Sequence, residues 1–269
     1  GKGTRMKSNL PKVLHEVGGK PMLRHVMAAA QAAGAGRVVV VVGFGGELVA
    51  TVMGGEGLEY VTQAQQLGTG HAVMQAQQIL QDYQGTVLLL CGDTPLLRSD
   101  TLQSLRRAHQ VSGAAATVLT AKLADPSGYG RILRNAGGNV CGIVEQKDAT
   151  SEQIRINEIN TGIYCFEAGP LFAALAGLTC NNAQQEYYLT DVLAILAQSG
   201  QTVAALTVDD FEETLGINSR QQLAEAEAIL RRRKLTELME NGVTVMDPAS
   251  TFVDADVVIG RDSVIYPFT

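Results

Sequence analysis

Thr86-Val87-Leu88-Leu89-Leu90-Cys91-Gly92-Asp93 is the stretch that decides the fold class. Its first six residues form an apolar run without alternation, which predicts a strand buried on both faces, as in a sheet covered by helices. Asp93 follows the carboxyl end of this strand, where α/β sheets bind their ligands, and Gly92 leaves room beside it. A lone aspartate here could instead cap the following turn. The stretch therefore predicts an α/β fold with a candidate site at Asp93.

The neighbouring segments continue the α/β pattern. Val38 to Val42 is a second β-branched run that predicts a strand buried on both faces. Helices are expected from Pro21 to about Ala33, from Thr69 to about Tyr83 and from Ser99 or Asp100 to about Val111. Because strands and helices alternate, the chain is expected to form a mostly parallel sheet with helices packed against it.

The alternation weakens after residue 121. Strands are predicted from Gly128, from Val140 and from Glu158, with no helix between the first two. This texture predicts a smaller, mixed-sheet lobe. Glu145 and Asn160 are polar residues within these apolar stretches, and each needs a hydrogen-bond partner. Sugar hydroxyls or other protein groups would both serve.

The first twelve residues combine glycine with positive charge. Gly1-Lys2-Gly3-Thr4-Arg5-Met6 is followed by Pro11-Lys12. Backbone N–H groups in a glycine turn, together with lysine and arginine, form a cradle for phosphate oxygens. A solvated chain terminus is the plainer interpretation. The pattern is not a Walker A loop, because no Gly-Lys-Ser/Thr follows at the required spacing.

Two further loops carry glycine. The segment Gln63 to Ala72 contains Gly68-Thr69-Gly70, and the Gln63 amide could pair with a pyrimidine edge or simply end a strand. His71 has no partner at metal-ligand spacing and is expected to be structural. Gly43-Phe44-Gly45-Gly46 imitates a dinucleotide fingerprint but lacks its third glycine, so a tight turn is expected there.

The last fifty residues predict a long helix followed by a segment with a six-residue apolar repeat. Gly216-Ile217-Asn218-Ser219 opens a helix to about Asn241, and Asn218 or Ser219 is the expected N-cap. Beyond Gly242, Val253, Ile259 and Ile265 recur every six residues. This period is typical of the first coil of a parallel β-helix.

Composition narrows the class of protein. The 269 residues are 46% hydrophobic and 18% charged, which is ordinary for a globular protein of one or two domains. A net charge of −6 argues against nucleic-acid binding, and no apolar run is long enough to span a membrane. The four cysteines form no CxxC pair, so reduced thiols and a cytoplasmic location are expected.

Eight stretches, in chain order, carry a family resemblance: Gly1–Met6 with Pro11-Lys12, 63–72, Gly92-Asp93, 125–131, 142–145, 158–162, 181–188 and 216–218. Together they are similar to the bacterial bifunctional N-acetylglucosamine-1-phosphate uridyltransferase/glucosamine-1-phosphate acetyltransferases. The resemblance implies a Rossmann-like nucleotidyltransferase domain, a connecting helix and a left-handed β-helix. The activity it implies is Mg²⁺-dependent transfer of UMP from UTP to N-acetylglucosamine-1-phosphate. The products are UDP-N-acetylglucosamine, a peptidoglycan and lipopolysaccharide precursor, and pyrophosphate.

The resemblance also implies residue roles. Gly1 closes a nucleotide-binding turn, and Arg5 and Lys12 act on the phosphates as the catalytic residues. Asp93 and Asn218 ligate magnesium, which gives Asn218 a role beyond capping. The remaining positions bind substrate: Gln63, Gly68 and Thr69 at the uracil, Gly130, Glu145 and Asn160 at the sugar, and Cys91 and Gly92 beside Asp93.

The implied domains are residues 1–220 for nucleotidyl transfer, 221–241 for the connecting helix and 242–269 for the start of the β-helix. The family's first strand and Leu-Ala-Ala are expected before Gly1. Most of the β-helix, through which the family trimerises and acetylates, is expected beyond Thr269, so acetyl transfer is not expected of this chain. Two alternatives stay open: a thymidylyl- or guanylyltransferase, and a non-catalytic regulatory subunit of the same fold.

Overall fold

The computed structural model of the chain describes residues 3–54 and 57–269. Gly1, predicted above to contact the nucleotide, lies outside the described residues. The strands are β1 Glu16–Val17, β2 Lys20–Pro21, β3 Val38–Val42, β4 Leu58–Thr62, β5 Thr86–Leu89, β6 Ala116–Lys122, β7 Arg131–Arg134, β8 Val140–Val144, β9 Glu158–Glu167, β10 Val203–Thr207, β11 Thr244–Val245 and β12 Val264–Ile265. The α-helices are α1 Met22–Ala32, α2 Gly46–Met53, α3 Thr69–Gln75, α4 Ser99–Ser112, α5 Ala168–Leu175, α6 Asp191–Gln198 and α7 Arg220–Glu240.

The long strand β9 organises the largest sheet. One edge of β9 pairs with β6, while the other edge pairs with β5 towards its end and with β7 near its start. β10 lies parallel to β6, and β8 lies antiparallel to β7. Because β5, β6 and β7 all oppose β9, these three strands and β10 point the same way. The sheet is mixed, as predicted for the strands after residue 121, and β7, β8 and β9 belong to the same sheet as β5, β6 and β10.

Helices cover both faces of this sheet. Along β6, Val118 packs with Leu171 of α5 and Leu193 of α6, whereas its neighbour Leu119 packs with Leu105 of α4. Successive side chains of a strand point to opposite faces, so a strand covered twice must be apolar throughout. Six of the seven β6 residues are buried. This layered arrangement is the predicted α/β architecture.

β3 and β5 depart from the prediction of burial on both faces. β3 pairs in parallel with β4, and four of its five valines are only half-buried, as are all four residues of β5. A cavity of about 950 Å³, lined by both strands and by Leu23 and Met27 of α1, lies between them. The apolar surfaces of the two strands therefore face this cavity instead of packing against each other.

The helix predicted to run from Thr69 to about Tyr83 ends earlier. α3 stops at Gln75, and the chain continues through turns to Asp82. The amides of Ala76 and Gln77 bond to carbonyls three residues back, at 3.0 and 3.1 Å. Bonds to the third residue tighten the backbone and end the α-helical path.

α7 joins the sheet domain to the C-terminal segment. This helix of 21 residues is capped by the Ser219 hydroxyl, which accepts from the Gln222 amide at 3.2 Å. Beyond α7, β11 and β12 pair in parallel, and the six-residue series Val253, Ile259 and Ile265 shares one apolar cluster with the helix. No helix in the described part of the chain has both the length and the apolar character needed to cross a bilayer.

Candidate functional site

Three residues distant in sequence meet beside the carboxyl end of β5. The ammonium of Lys12 donates to the carboxylate of Asp93, and also to the Asn218 side-chain oxygen at 2.7 Å. The side chains of Lys12 and Asp93 are 18% and 19% exposed, so the ion pair is largely withdrawn from water. We call Lys12, Asp93 and Asn218 the cation cluster. It brings together the predicted phosphate lysine and both predicted metal ligands.

Backbone contacts hold the start of α7 against the loop after β5. The Ile217 amide donates to the Asp93 carbonyl at 2.9 Å, which puts the two predicted ligands side by side. The Asn218 side-chain nitrogen donates to the Gly216 carbonyl at 3.2 Å. This bond uses the amide nitrogen and leaves the amide oxygen facing Lys12. Ser219 caps the helix, so Asn218 is not its N-cap.

The predicted phosphate loop is tied to the same helix. Arg5 lies exposed in a short 3₁₀ turn, Thr4–Met6, outside the cation cluster. Arg220, at the first position of α7, donates to the Met6 carbonyl at 3.2 Å and lies 3.3 Å from the Nδ1 atom of His15. Burial, and then the Arg220 charge, lower the pKa of His15. Arg220 was not predicted, because an arginine at the start of a helix carries no signal of a tertiary contact.

The predicted base loop is closed by internal hydrogen bonds. The Gln63 side-chain nitrogen donates to the Gly68 carbonyl at 3.0 Å and lies 3.1 Å from the Nδ1 atom of His71. Gly68 has φ of +110°, and a methyl group there would lie 2.6 Å from the Tyr187 carbonyl. The Thr69 hydroxyl accepts from the Leu189 amide at 3.1 Å. The loop therefore packs on residues 187–189, which requires glycine at position 68.

The predicted sugar residues lie together beside strands β7, β8 and β9 of the large sheet. A methyl group on Gly130 would lie 3.5 Å from both Glu145 Oε2 and the Asn160 Cβ atom. The Thr190 hydroxyl donates to Glu145 Oε1 at 3.1 Å, and Asn160 Oδ1 accepts from the Gly162 amide at 3.0 Å. We call Gly130, Glu145, Asn160 and Thr190 the Glu145 pocket. Thr190 was not predicted, since nothing in its sequence surroundings marks it.

Glu145 lies in surroundings that disfavour the charged form of its carboxyl group. Burial raises the pKa of its carboxyl group, the Thr190 hydrogen bond opposes that rise, and Asp191 and Asp148 add to it. Protein groups thus supply some of the hydrogen bonds that the side chains of Glu145 and Asn160 can accept. Glu145 Oε2 lies beside Gly130, and a carboxylate oxygen can accept a hydrogen bond from a ligand hydroxyl or amide N–H.

Cys91 and Gly92 lie between these two regions. The Cys91 thiol lies 3.6 Å from the Gly162 carbonyl, and desolvation, followed by the charge of Asp93, raises its pKa to about 12. A methyl group on Gly92 would lie 3.2 Å from Leu23 and 3.4 Å from Val13, so glycine permits close packing there. The cysteine therefore stays a neutral thiol at physiological pH and is not a nucleophile.

The cavity beside β3 and β5 joins these regions. Seven predicted site residues line it: Lys12, Thr69, Cys91, Gly92, Asp93, Glu145 and Asn160. Among the described residues, Arg5, Gln63, Gly68, Gly130 and Asn218 are not part of that lining. The rest of the lining is largely apolar and comes mainly from β3, β5 and α1.

The donor set of the cation cluster is sparse. Within residues 3–54 and 57–269, no group of three or more His, Cys, Asp or Glu side chains could hold a metal ion. The cluster offers one carboxylate and one amide oxygen. Magnesium uses one or two carboxylates and completes its shell with water and substrate phosphate oxygens, so this set fits Mg²⁺ better than a metal that requires an all-protein cage.

Comparison with protein families matches residues 1–154 to the MobA-like NTP transferase domain. Three curated relatives, each described as bifunctional protein GlmU, are similar along almost the whole chain. The protein of Pelotomaculum thermopropionicum is 57% identical, that of Syntrophotalea carbinolica 54% and that of Geobacillus thermodenitrificans 52%. These matches extend over 100%, 99% and 100% of this chain but over only 59%, 57% and 58% of the relatives' lengths.

Solved structures support the fold. Two structures of UDP-glucose pyrophosphorylase, one apo and one complexed with UDP-glucose, match with TM-scores of 0.70 and 0.72. Each match covers 87% of this chain and 96% of the other, at 18% identity. At that identity the likeness concerns the fold alone, and it confirms the predicted α/β nucleotidyltransferase architecture.

Proposed function

This chain belongs to the MobA-like NTP transferase family, and from that premise we propose that it transfers UMP from UTP to N-acetylglucosamine-1-phosphate. The products would be UDP-N-acetylglucosamine and pyrophosphate. Identity of 51–57% to bifunctional GlmU proteins over almost the whole chain supports this substrate pair. The observation that carries the proposal is the cation cluster at the carboxyl end of β5.

The reaction joins two anions, and this dictates what the site must supply. A phosphate oxygen of the sugar phosphate forms a bond to the α-phosphorus of UTP. The bond from that phosphorus to the bridging oxygen breaks, and its electron pair leaves with pyrophosphate. The attacking oxygen is already ionised at neutral pH, so no general base is required. In-line positioning and charge neutralisation are the remaining tasks.

The proposed roles follow from charge and position. Asp93 and Asn218 would hold Mg²⁺, which would supply positive charge to offset the negative charge of the phosphates. Lys12 would orient the sugar phosphate, and Arg5, exposed on the adjoining loop, would meet the departing pyrophosphate. Arg220 would keep that loop in place through the Met6 carbonyl.

The two ends of the product would be bound by hydrogen bonds. Gln63, Gly68 and Thr69 form a packed loop that would receive uracil. In the Glu145 pocket, Glu145 Oε2 would accept a hydrogen bond from the sugar, with Asn160 and Gly130 beside it. Gly1, Cys91 and Gly92 would complete the nucleotide contacts.

The decisive experiment is pyrophosphate release by the purified chain with UTP, N-acetylglucosamine-1-phosphate and Mg²⁺. We expect release that stops with EDTA and returns with added Mg²⁺. Parallel reactions with dTTP and GTP separate a uridyltransferase from a thymidylyl- or guanylyltransferase. Absence of release with every nucleotide would contradict catalysis and favour a regulatory subunit.

Further properties of the longer relatives are proposals for this chain as well. The chain spans under two thirds of their length. We propose residues 1–220, 221–241 and 242–269 as the transferase domain, connecting helix and beginning of a β-helix. A role in cell-wall precursor supply, a cytoplasmic location and trimerisation through a complete β-helix belong to the same proposal. Acetyl transfer is not expected of residues 1–269.

A further inference from the structure

Lys12 lies where a metal held by Asp93 and Asn218 would lie. Its ammonium contacts Asp93 Oδ2 and, at 2.7 Å, Asn218 Oδ1. A magnesium ion ligated by the same oxygens would sit about 2.1 Å from each of them. Two cations cannot share that space, because they would be in contact without an anion between them. Lysine and metal therefore exclude each other at this pair of oxygens.

We propose that Lys12 acts as a stand-in cation. Its ammonium occupies the metal position in the ligand-free protein and leaves that position when it pairs with a substrate phosphate. This inference rests on the proposed metal-dependent function and adds an order to it. Metal alone has to displace the ammonium and leave it without an anionic partner. Metal arriving with phosphate gives the ammonium a new partner, so the two ligands bind cooperatively.

The local structure suits such an exchange. The lysine backbone is fixed in the 3₁₀ turn Lys12–Leu14, where the His15 amide bonds to the Lys12 carbonyl at 3.2 Å. Its Cβ lies beside Gly3, since a methyl group on that glycine would be 3.0 Å away. The side chain thus starts at the predicted phosphate loop and reaches to Asp93. Rotation of its flexible four-carbon stem moves the charge between the two places without a backbone change.

The charge balance sets the direction of the effect. With Lys12 in place, Asp93 is already neutralised, and a divalent ion gains only the difference between its own attraction and that of the ammonium. By thermodynamic linkage, phosphate must strengthen metal binding by the factor with which metal strengthens phosphate binding. Couplings between two sites are typically 5- to 150-fold. An effect of about tenfold on metal affinity is therefore expected when Lys12 is removed.

The first test measures Mn²⁺ binding by electron paramagnetic resonance in the absence of nucleotide. We expect Lys12→Met to bind Mn²⁺ about tenfold more tightly than the unsubstituted chain, within the usual range of coupling factors. Lys7→Met, which removes an exposed lysine of the same loop, is the matched control and should change the affinity less than twofold. If the two substitutions change the Mn²⁺ affinity equally, the change reflects only the loss of a positive charge, and the proposed exchange between Lys12 and metal is wrong.

The second test follows the lysine itself. Acetylation by an N-hydroxysuccinimide ester, quantified by mass spectrometry, reports whether the Lys12 amine is engaged. We expect Mn²⁺ to raise labelling of Lys12 several-fold while Lys20, which pairs with Asp256 away from the cluster, stays unchanged. Labelling of Lys12 that is unaltered or lowered by Mn²⁺ would contradict the proposal.

Asp93→Asn separates the two levels of inference. If this variant loses Mn²⁺ binding while Lys12→Met behaves like the unsubstituted chain, the metal site stands and the stand-in role falls. If Asp93→Asn binds Mn²⁺ normally, the proposed metal site itself is wrong.

Discussion

The cation cluster and the Glu145 pocket each contain a carboxyl group, but the two groups have different partners. In the cluster, the negative charge of Asp93 is matched by the Lys12 ammonium. In the pocket, the carboxyl group of Glu145 has a neutral hydroxyl as its hydrogen-bond donor, and burial raises its pKa. The first region is electrostatically satisfied before substrate arrives, whereas the second is not.

This difference predicts how each region should respond to an amino-acid substitution. A satisfied ion pair binds a new charge only by exchanging partners, so its substitution should act mainly on turnover. A buried carboxyl group with spare acceptor capacity gains when a ligand donates to it, so its substitution should act mainly on binding. Substitutions in the two regions test that division.

Asp93→Asn should lower kcat by roughly two orders of magnitude or more, the scale of removing one electrostatic stabiliser of a transition state. The measurement is pyrophosphate release at saturating UTP and sugar phosphate. Asp82→Asn, an exposed aspartate, is the control and should keep normal turnover. Near-normal kcat in Asp93→Asn would remove the contrast between the two regions.

Glu145→Gln should raise KM for the sugar phosphate about 10- to 100-fold, because a hydrogen bond to a charged group contributes about 1.5–3 kcal/mol. The KM for UTP should change little. Glu152→Gln replaces an exposed glutamate between β8 and β9 and serves as control. A fall in kcat with unchanged KM would assign Glu145 to the chemistry instead of to binding.

The same substitution should stabilise the ligand-free protein at neutral pH. A carboxyl group whose folded pKa is raised contributes stability below its unfolded pKa and loses it as pH rises through the folded value. Glutamine lacks that loss, so Tm of Glu145→Gln should exceed that of the unsubstituted chain by about 2 °C at pH 7.5. The difference should vanish near pH 4, below the ordinary pKa of glutamate. Calorimetry at several pH values measures it, and a gap that widens towards low pH would contradict the sign.

Gly130→Ala should raise KM for the sugar phosphate by about 3- to 10-fold, since the added methyl group would lie 3.0 Å from Ile143 and crowd Glu145 and Asn160. Gly169→Ala, in α5 with open space around it, is the matched control. If both variants have normal kinetics, the space above Gly130 is not where the sugar binds.

Cys91→Ser should change kcat less than about threefold, because a thiol with a pKa of about 12 carries no charge at neutral pH. Iodoacetamide at pH 8 should modify the exposed Cys180 and spare Cys91. Rapid alkylation of Cys91, read by peptide mass spectrometry, would mean that the site opens more than the structure indicates.

Much of the fold could be predicted because local pattern and burial agree. The strand β3 and the Ser219 cap of α7 follow directly from β-branched composition and capping chemistry. The half-burial of β3 could not, since five valines look the same whether they face a packed neighbour or a cavity. α3 ends at Gln75 because the next amides bond to carbonyls three residues back instead of four. Nothing in the glutamine-rich sequence of this segment indicates that change.

The candidate site divides in the same way. Asp93 could be found because a strand end and a glycine mark it, and in the structure it lies beside Lys12 and Asn218. Their catalytic roles stay predictions. Thr190 and Arg220 act through tertiary contacts to Glu145 and to the Met6 carbonyl. Such contacts depend on chain crossings that no local spacing encodes.

The separation between Lys12 and Asn218 has a consequence for the newborn chain. The two residues are 206 positions apart, and Asn218 sits at the start of α7. At about 5–20 residues per second, a ribosome needs roughly 10–40 s to pass from the first to the second. Lys12 and Asp93 are therefore synthesised well before their third member. A nascent chain lacking Asn218 has no complete cation cluster, so competence for catalysis should arise only after the start of α7 has been synthesised.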